Sequence, residues 1–437
     1  MMAHSLRPTQ EAARWWPLLT GSLADQAAET VRAITTELHK PFTHQGARIA
    51  ERLCSQALLH GYLARVWPGG DDAEHAARFL DGALEEVGRR WMRPALHGGF
   101  VQVAWVMHHL GAHLLPDQLG AEEDPLEDVE AALEDALGVE HWGQHYDLIA
   151  GLVGLGVFAL ERLPGARARR CLERVVHHLL AVSELGPHGR AWRTPPELIP
   201  TTTRKTLQDG GYNLGVAHGN PGAVGLLAAA WAHGIDRTRV GPALEEAVQW
   251  LLAQRQPAGS LSAFAYYGDD EVRRSQVSRG AWCYGDPGVA ATLLMAARAV
   301  GNTEWERVAV ETGLRAVRRP EETREVMDGG LCHGEAGLAH LFHRMYRLTG
   351  EEAFGREARE CFARLLARRV PGEGVGGYVV WYPREIYPDR VEDNATFLSG
   401  AVGIALALLS AISDEEPAWD RMLLASFRPP LESRHGR

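Results

Sequence analysis

Three features of the 437-residue chain predict an all-α fold, an α/α toroid (barrel) of seven inner and seven outer helices with long loops at one end. A glycine corner followed by a small, apolar helical run recurs seven times. It reads HGYLARVW at 60, GGFVQVAWV at 98, AGLVGLGVF at 150, HGNPGAVGLL at 218, YGDPGVAATLL at 284, HGEAGLAHLF at 333 and SGAVGIALALL at 399. Between these runs lie amphipathic stretches at 24–38, 72–89, 125–137, 167–182, 242–254, 303–317 and 351–368, with the 3.6-residue period of surface helices. The runs after the glycines are apolar almost all round and rich in Ala and Gly, as expected of helices buried on every side. Alternation of the two kinds has a simple solution: buried helices inside, amphipathic ones outside, in one repeated unit spanning 1–437.

The leading glycines are Gly61, Gly99, Gly151, Gly219, Gly285, Gly334 and Gly400. A second glycine follows at 154, 222, 288, 337 and 403, and is replaced by Ala64 and Gln102 in the first two copies. Glycine permits tight loop-to-helix turns and close backbone approach. The corners are expected to gather at one end of the inner ring, which makes that end the default active site.

Three segments interrupt the pattern. They are 185–214, rich in Pro, Thr and Gly, then 257–280, and 370–396, with a strand-like stretch at 378–382. Connections of this length in a compact domain are functional or disordered. We read them as walls and lid of a substrate cleft, with 185–214 a candidate substrate-binding insertion.

Composition excludes several classes. The net charge of −11 argues against nucleic acid as a partner, because phosphate binding needs a basic footprint. No uninterrupted apolar run reaches the roughly 18–20 residues of a membrane span. The N-terminal MMAHSLRPTQEAARWW lacks the layout of a signal peptide, so a cytoplasmic protein is expected. Five cysteines are an odd number and do not suggest a disulfide scaffold. Cys54, Cys171 and Cys361 fall within helical patterns and read as buried apolar residues.

The other two cysteines carry the chemistry. Aligning AHGNPG (217–222), WCYGDPG (282–288) and LCHGEAG (331–337) on Gly219, Gly285 and Gly334 puts Cys283 and Cys332 in one column. His218, Tyr284 and His333 share the next. Cys283, Cys332 and His333 form a Cys2His set, three ligands with one open position, which is the composition of a catalytic zinc site. Cys332 and His333 are adjacent and would diverge by about 100° on a regular helix, so the chain must turn there, as Gly334 allows. The opposing reading, packing thiols at repeat corners, is weakened because both cysteines share a column. His340 and His343 follow, three apart on one face; they are conceivable ligands, with a helix-surface or supporting role favoured.

Further candidates surround this set. His218 titrates near neutrality and could serve as acid or base, or be a satisfied core histidine. Asp147 could orient a histidine, or cap a helix. Arg279 could stabilise developing negative charge, or pair within its loop. His97 receives no role. The chain holds no G-x-x-x-x-G-K-[ST], H-E-x-x-H or G-x-S-x-G pattern, and its glycine corners follow helices and not strands, so ATP, NAD and serine-hydrolase chemistry are unsupported.

With AHGNPG, WCYGDPG and LCHGEAG in hand, and supporting corners at Gly99, Gly151 and Gly400, the chain resembles the lanthipeptide cyclases, LanC, over essentially its whole length. The resemblance implies one zinc ion held by Cys283, Cys332 and His333, with Asp147, His218, Arg279 and Tyr284 lining the site. Asp147 matches through DLIAGLVGLG, His218 through AHGNPG, and Arg279 with Tyr284 through RGAWCYG. It implies Michael-type addition of precursor-peptide cysteine thiols to dehydroalanine or dehydrobutyrine. It also implies a dehydrated precursor peptide as partner, with a separate dehydratase and a membrane transporter that could hold the protein near the membrane. A small β-rich insertion precedes the AHG motif in that family, and 185–214 occupies its place but is short for a domain. Two alternatives stand beside this: a zinc thiol alkylation like that of protein prenyltransferases, disfavoured by the two Cys ligands, and a thiol- or peptide-binding scaffold.

Overall fold

The computed structural model describes residues 15–40, 48–120, 124–199, 209–268, 276–380 and 393–428. Within them run fourteen α-helices of ten residues or more. The outer helices are α1 (Gly21–Leu38), α3 (Asp72–Arg89), α5 (Glu127–Ala136), α7 (Ala166–Ala181), α9 (Arg237–Ala253), α11 (Thr303–Arg318) and α13 (Glu352–Ala367). The inner helices are α2 (Ile49–Val66), α4 (Phe100–His109), α6 (Leu152–Glu161), α8 (Asn220–Ala232), α10 (Asp286–Val300), α12 (Glu335–Thr349) and α14 (Ala401–Ile412). A π-helical turn, Leu110–Leu114, prolongs α4.

Burial separates the two sets as the periodicities require. In α3 only Ala76, Leu80 and Ala83 are buried, a single stripe at helical spacing. In α8 every residue from Asn220 to Ala230 is buried. Each inner helix packs on the next, and α14 returns to α2, so the ring closes. The outer helix α1 packs on α14. Trp15 Nε1 donates to the Ser410 carbonyl (2.8 Å), and the Leu18 and Leu19 amides donate to Ala411 (2.8 and 2.9 Å), so the two ends of the chain close the barrel together.

Six of the seven glycine corners precede inner helices, as the sequence implies, with Gly99, Gly151, Gly219, Gly285, Gly334 and Gly400 as N-caps. Gly61 does not. It lies inside α2, where a side chain would collide with Leu110. There glycine serves helix-to-helix packing, a use that a glycine pattern cannot distinguish from a turn. A second difference is at α9, which begins before the expected Pro242 and carries it internally. Proline this near a helix start forgoes one backbone bond without ending the helix.

The corners are stitched to one another by backbone bonds. The His97 amide donates to Ile149 (3.1 Å), Leu148 to Ala217 (3.2 Å), Cys283 to Cys332 (3.2 Å) and Cys332 to Leu398 (2.8 Å). Equivalent positions of neighbouring repeats are therefore adjacent in space, which is why a shared column brings side chains together. Gly285 is the most demanding corner. Its φ of 122° suits glycine alone, and a Cβ there would overlap the Arg279 carbonyl oxygen. Gly285→Ala is expected to cost about 3 kcal/mol or more and to lower Tm by several degrees, measured by calorimetry.

Two of the irregular segments, 185–214 and 257–280, meet through strand pairing. Strands β1 (Glu184–Gly186) and β2 (Gly189–Ala191) form an antiparallel hairpin. Strand β3 (Tyr212–Asn213) pairs with β4 (Tyr267–Gly268), joining the candidate insertion to the 257–280 segment. Residues 200–208, 269–275 and 381–392 of the three irregular segments lie outside the described residues. Of the strand-like stretch 378–382, Tyr378 forms an isolated bridge with Val375, Val380 is also a bridge residue, and 381–382 lie outside the described residues. Among the described residues no helix is long and apolar enough to cross a membrane.

Candidate metal centre and acid–base pair

Cys283 and Cys332 each lie two residues before the N-cap glycine of an inner helix, α10 and α12. Residues 331–333 form a turn ahead of α12, so Cys332 and His333 are not on a regular helix. The ligand atoms of Cys283, Cys332 and His333 all lie within 4.8 Å of one another. Helix N-termini carry partial positive charge and favour thiolate. The two thiols perturb one another in opposite directions. The hydrogen bond from Cys332 holds Cys283 well below the usual thiol range, against burial, and the same contact together with burial drives Cys332 well above it. Two thiolates this close repel, so full deprotonation calls for a cation between them. For His333, burial favours the neutral ring, but its hydrogen bond with Cys283 and the nearby Asp328 outweigh it and raise the pKa. Buried Asp328 supports the corner: Oδ1 accepts from the Gly330 amide (3.0 Å), while Oδ2 has no hydrogen-bond partner among the described residues and stands 3.6 Å from His333 Nε2. This soft, three-donor set fits a zinc ion with one position left open.

His218 and Asp147 form a pair beside it. His218 Nδ1 is 2.7 Å from Asp147 Oδ2, and Asp147 Oδ1 accepts from the Ala150 amide (2.8 Å). Asp147 thus holds the histidine and also braces its own loop. The Asp147 side chain is 6% exposed and that of His218 is 45% exposed, so a buried carboxylate presents an accessible imidazole. Burial would lower the His218 pKa, but the Asp147 hydrogen bond and charge reverse this and raise it. Asp147, which burial would push up, is held below the usual carboxylate range by the same bond.

Arg279 is fixed by Tyr266, whose hydroxyl accepts from its backbone amide (3.2 Å) and its Nε (3.5 Å). Burial opposes its charge, while Tyr266, Cys283 and Cys332 favour it and raise its pKa. The Tyr284 hydroxyl accepts from Asn213 Nδ2 (2.8 Å) and is also hydrogen-bonded to Tyr267. Burial first, then the phenol of Tyr267, holds Tyr284 well above the usual phenol range. A cavity of about 130 Å³ is lined by Asp147, His218 and Tyr284 on the ring side and by Thr194, Leu198 and Ile199 on the insertion side.

Sequence reasoning missed Asn213, Asp328, Tyr266, Tyr267 and His145, whose Nδ1 is 3.9 Å from Asp147 Oδ2. Asn213 and Asp328 had a readable signal: each stands six positions before its leading glycine, as Arg279 does. His340 and His343 are not surface or supporting residues of the centre. Both are fully buried, His340 bonding Asp420 (2.9 Å) and His343 packing on Trp15. His97 is buried against Phe397, with burial pushing its pKa down to about 4. Cys54, Cys171 and Cys361 are buried as expected.

A family model described as lanthionine synthetase C-like protein matches residues 53–424. Nisin biosynthesis protein NisC of Lactococcus lactis subsp. lactis is 26% identical over 152 residues, 33% of this chain and 36% of that protein. The matched stretch thus spans about a third of the relative. The solved structure of nisin cyclase aligns with a TM-score of 0.69 over 93% of this chain and 98% of that one, at 17% identity. At that identity the likeness shows the shared fold.

Proposed function

The chain belongs to the lanthionine synthetase C-like family, and from that premise we propose that it is a zinc-dependent lanthipeptide cyclase. Its reaction is the addition of cysteine thiols of a dehydrated precursor peptide to dehydroalanine or dehydrobutyrine, forming lanthionine or methyllanthionine rings. The observation that carries this reading is the convergence of Cys283, Cys332 and His333 beside the His218–Asp147 pair. In it the whole chain works as one toroid and 185–214 helps to bind the peptide.

Cys283, Cys332 and His333 would hold the zinc. When bound, it would favour the thiolate of a substrate cysteine, whose free thiol, with a pKa near ~8.5, is mostly protonated at neutral pH. The rest falls to the chain's own side chains. In the addition the S–C bond forms at the β-carbon and the C=C electrons move toward the carbonyl, giving an enolate. Arg279, held by Tyr266, and Tyr284, held by Asn213, supply a charge and a proton donor for that oxygen. Asp147 orients His218 through Nδ1, so that Nε2 carries the proton delivered to the α-carbon. Cysteine loses one proton and the α-carbon gains one, so peptide mass does not change.

The test follows from that balance. Incubated with a dehydrated precursor peptide, the protein is expected to consume free thiols at constant peptide mass. Tight peptide binding with thiols unconsumed would instead favour a scaffold and overturn the cyclase reading. A separate dehydratase and a transporter are the partners this role implies.

A further inference from the structure

A second cluster of metal-ligating side chains lies on the first three helices, away from the corners that carry the cysteines. His39 is the C-cap of α1, His60 lies in α2 and His75 in α3, and their ligand nitrogens all fall within 4.8 Å of one another. The ring centroids are 5.2 Å (39–60), 4.4 Å (39–75) and 5.1 Å (60–75) apart, with interplanar angles of 59°, 57° and 76°. No pair stacks face to face.

His60 points to a ligand independently of that clustering. Its side chain is 0% exposed, and its Nδ1 is 2.6 Å from Asp72 Oδ1. In the neutral ring with Nδ1 donating to this carboxylate, Nε2 is the lone-pair nitrogen. That atom is buried and has no hydrogen-bond partner among the described residues. A buried polar atom without a partner costs roughly 1–3 kcal/mol, so a native structure rarely keeps one unused. A histidine oriented by a carboxylate, with its other nitrogen bare, is the usual arrangement of an imidazole metal ligand. Phe79 stacks on the His60 ring at 5.3 Å and excludes water from one side.

The other His-rich cluster, His109, His113 and Glu161, is different. Arg421 already donates to both Glu161 oxygens (3.0 and 3.1 Å), so that group is a satisfied ion pair.

We propose that His39, His60 and His75 form a second metal site, for a divalent first-row transition ion of the kind imidazole prefers, such as zinc, nickel or copper, and that the ion clamps the end of α1 to the α2–α3 hairpin. Three nitrogens around zinc stand ~3.3 Å apart at metal–nitrogen distances of about 2.0–2.1 Å, so the cluster closes by small side-chain rotations. The clamp matters because α1 packs on α14 and α13 and so closes the ring. A metal here ties the helix that closes the barrel to the helices that follow it.

The experiment uses untagged, chelator-stripped full-length protein carrying Cys283→Ser and Cys332→Ser, titrated with zinc chloride by calorimetry. One equivalent is expected to bind, raising Tm by ~3 °C at a hundredfold excess over Kd. Adding His39→Ala or His75→Ala, both at accessible positions, is expected to weaken binding by about a hundredfold or more and to abolish the shift. Cobalt titration of the protein with its cysteines intact gives an independent reading. Two equivalents are expected, one with thiolate charge-transfer absorption and one without, and His39→Ala should lose only the second. Zinc binding by the cysteine variant that His39→Ala and His75→Ala leave unchanged, or a single cobalt equivalent with thiolate absorption, overturns the site. Neither outcome depends on ring formation, so the cyclase reading is tested separately.

Discussion

Cys283→Ala is expected to abolish zinc retention at the corner site and to slow ring formation by at least ~10³-fold, about 4 kcal/mol at the barrier. Removing Cys283 leaves one thiol and one imidazole, Cys332 and His333, too few to hold the ion tightly. It also removes the group whose contact perturbs both Cys332 and His333. Cys332→Ala should match it. Fold damage should be small by comparison, because the backbone bond from the residue 283 amide to the Cys332 carbonyl needs no side chain. The measurement is elemental analysis with circular dichroism, on a His39→Ala background so that the proposed second site does not confuse the count. Full metal content in either cysteine variant would remove the ligand assignment.

His218→Ala is expected to do the opposite on the metal axis, keeping zinc while losing about 10²- to 10⁴-fold in turnover, the usual worth of a positioned proton donor. Its pH dependence is the sharper test. His218 has a raised pKa because the Asp147 bond and charge overcome burial. The protonated, donating form is therefore complete at low pH and survives above the ordinary histidine value. Activity should fall as pH rises through that raised pKa. Asp147→Asn removes the stabilising charge, so the alkaline limb should move to lower pH, whereas in His218→Ala it should vanish. If the limb stayed in place in both variants, His218 would not be the donor. Such a result would leave the metal centre untouched.

Much of this architecture was legible before any coordinates. The outer helices were readable because a half-buried helix repeats its apolar residues every three or four positions. The inner ones were readable because burial on all sides forbids that repeat. The cysteine column was legible for a related reason: corners that recur in sequence are stacked by the ring, so an alignment of glycines is also an alignment in space. Gly61 shows where that logic ends. A glycine that admits Leu110 into a helix interface looks the same in sequence as one that turns the chain.

The chain alone determined its helical periods, the repeat that demands a closed ring, and the shared column of Cys283 and Cys332. All of these are local patterns, set by what one helix or one corner must bury. Tertiary structure decided the pairings: Asp147 with His218, Asn213 with Tyr284, Tyr266 with Arg279, and the gathering of His39, His60 and His75 from three helices. His218 and Asp147 are 71 positions apart, and nothing near either one names its partner. Only closure of the barrel puts such residues within reach, since the geometry that joins them belongs to the packing of whole helices.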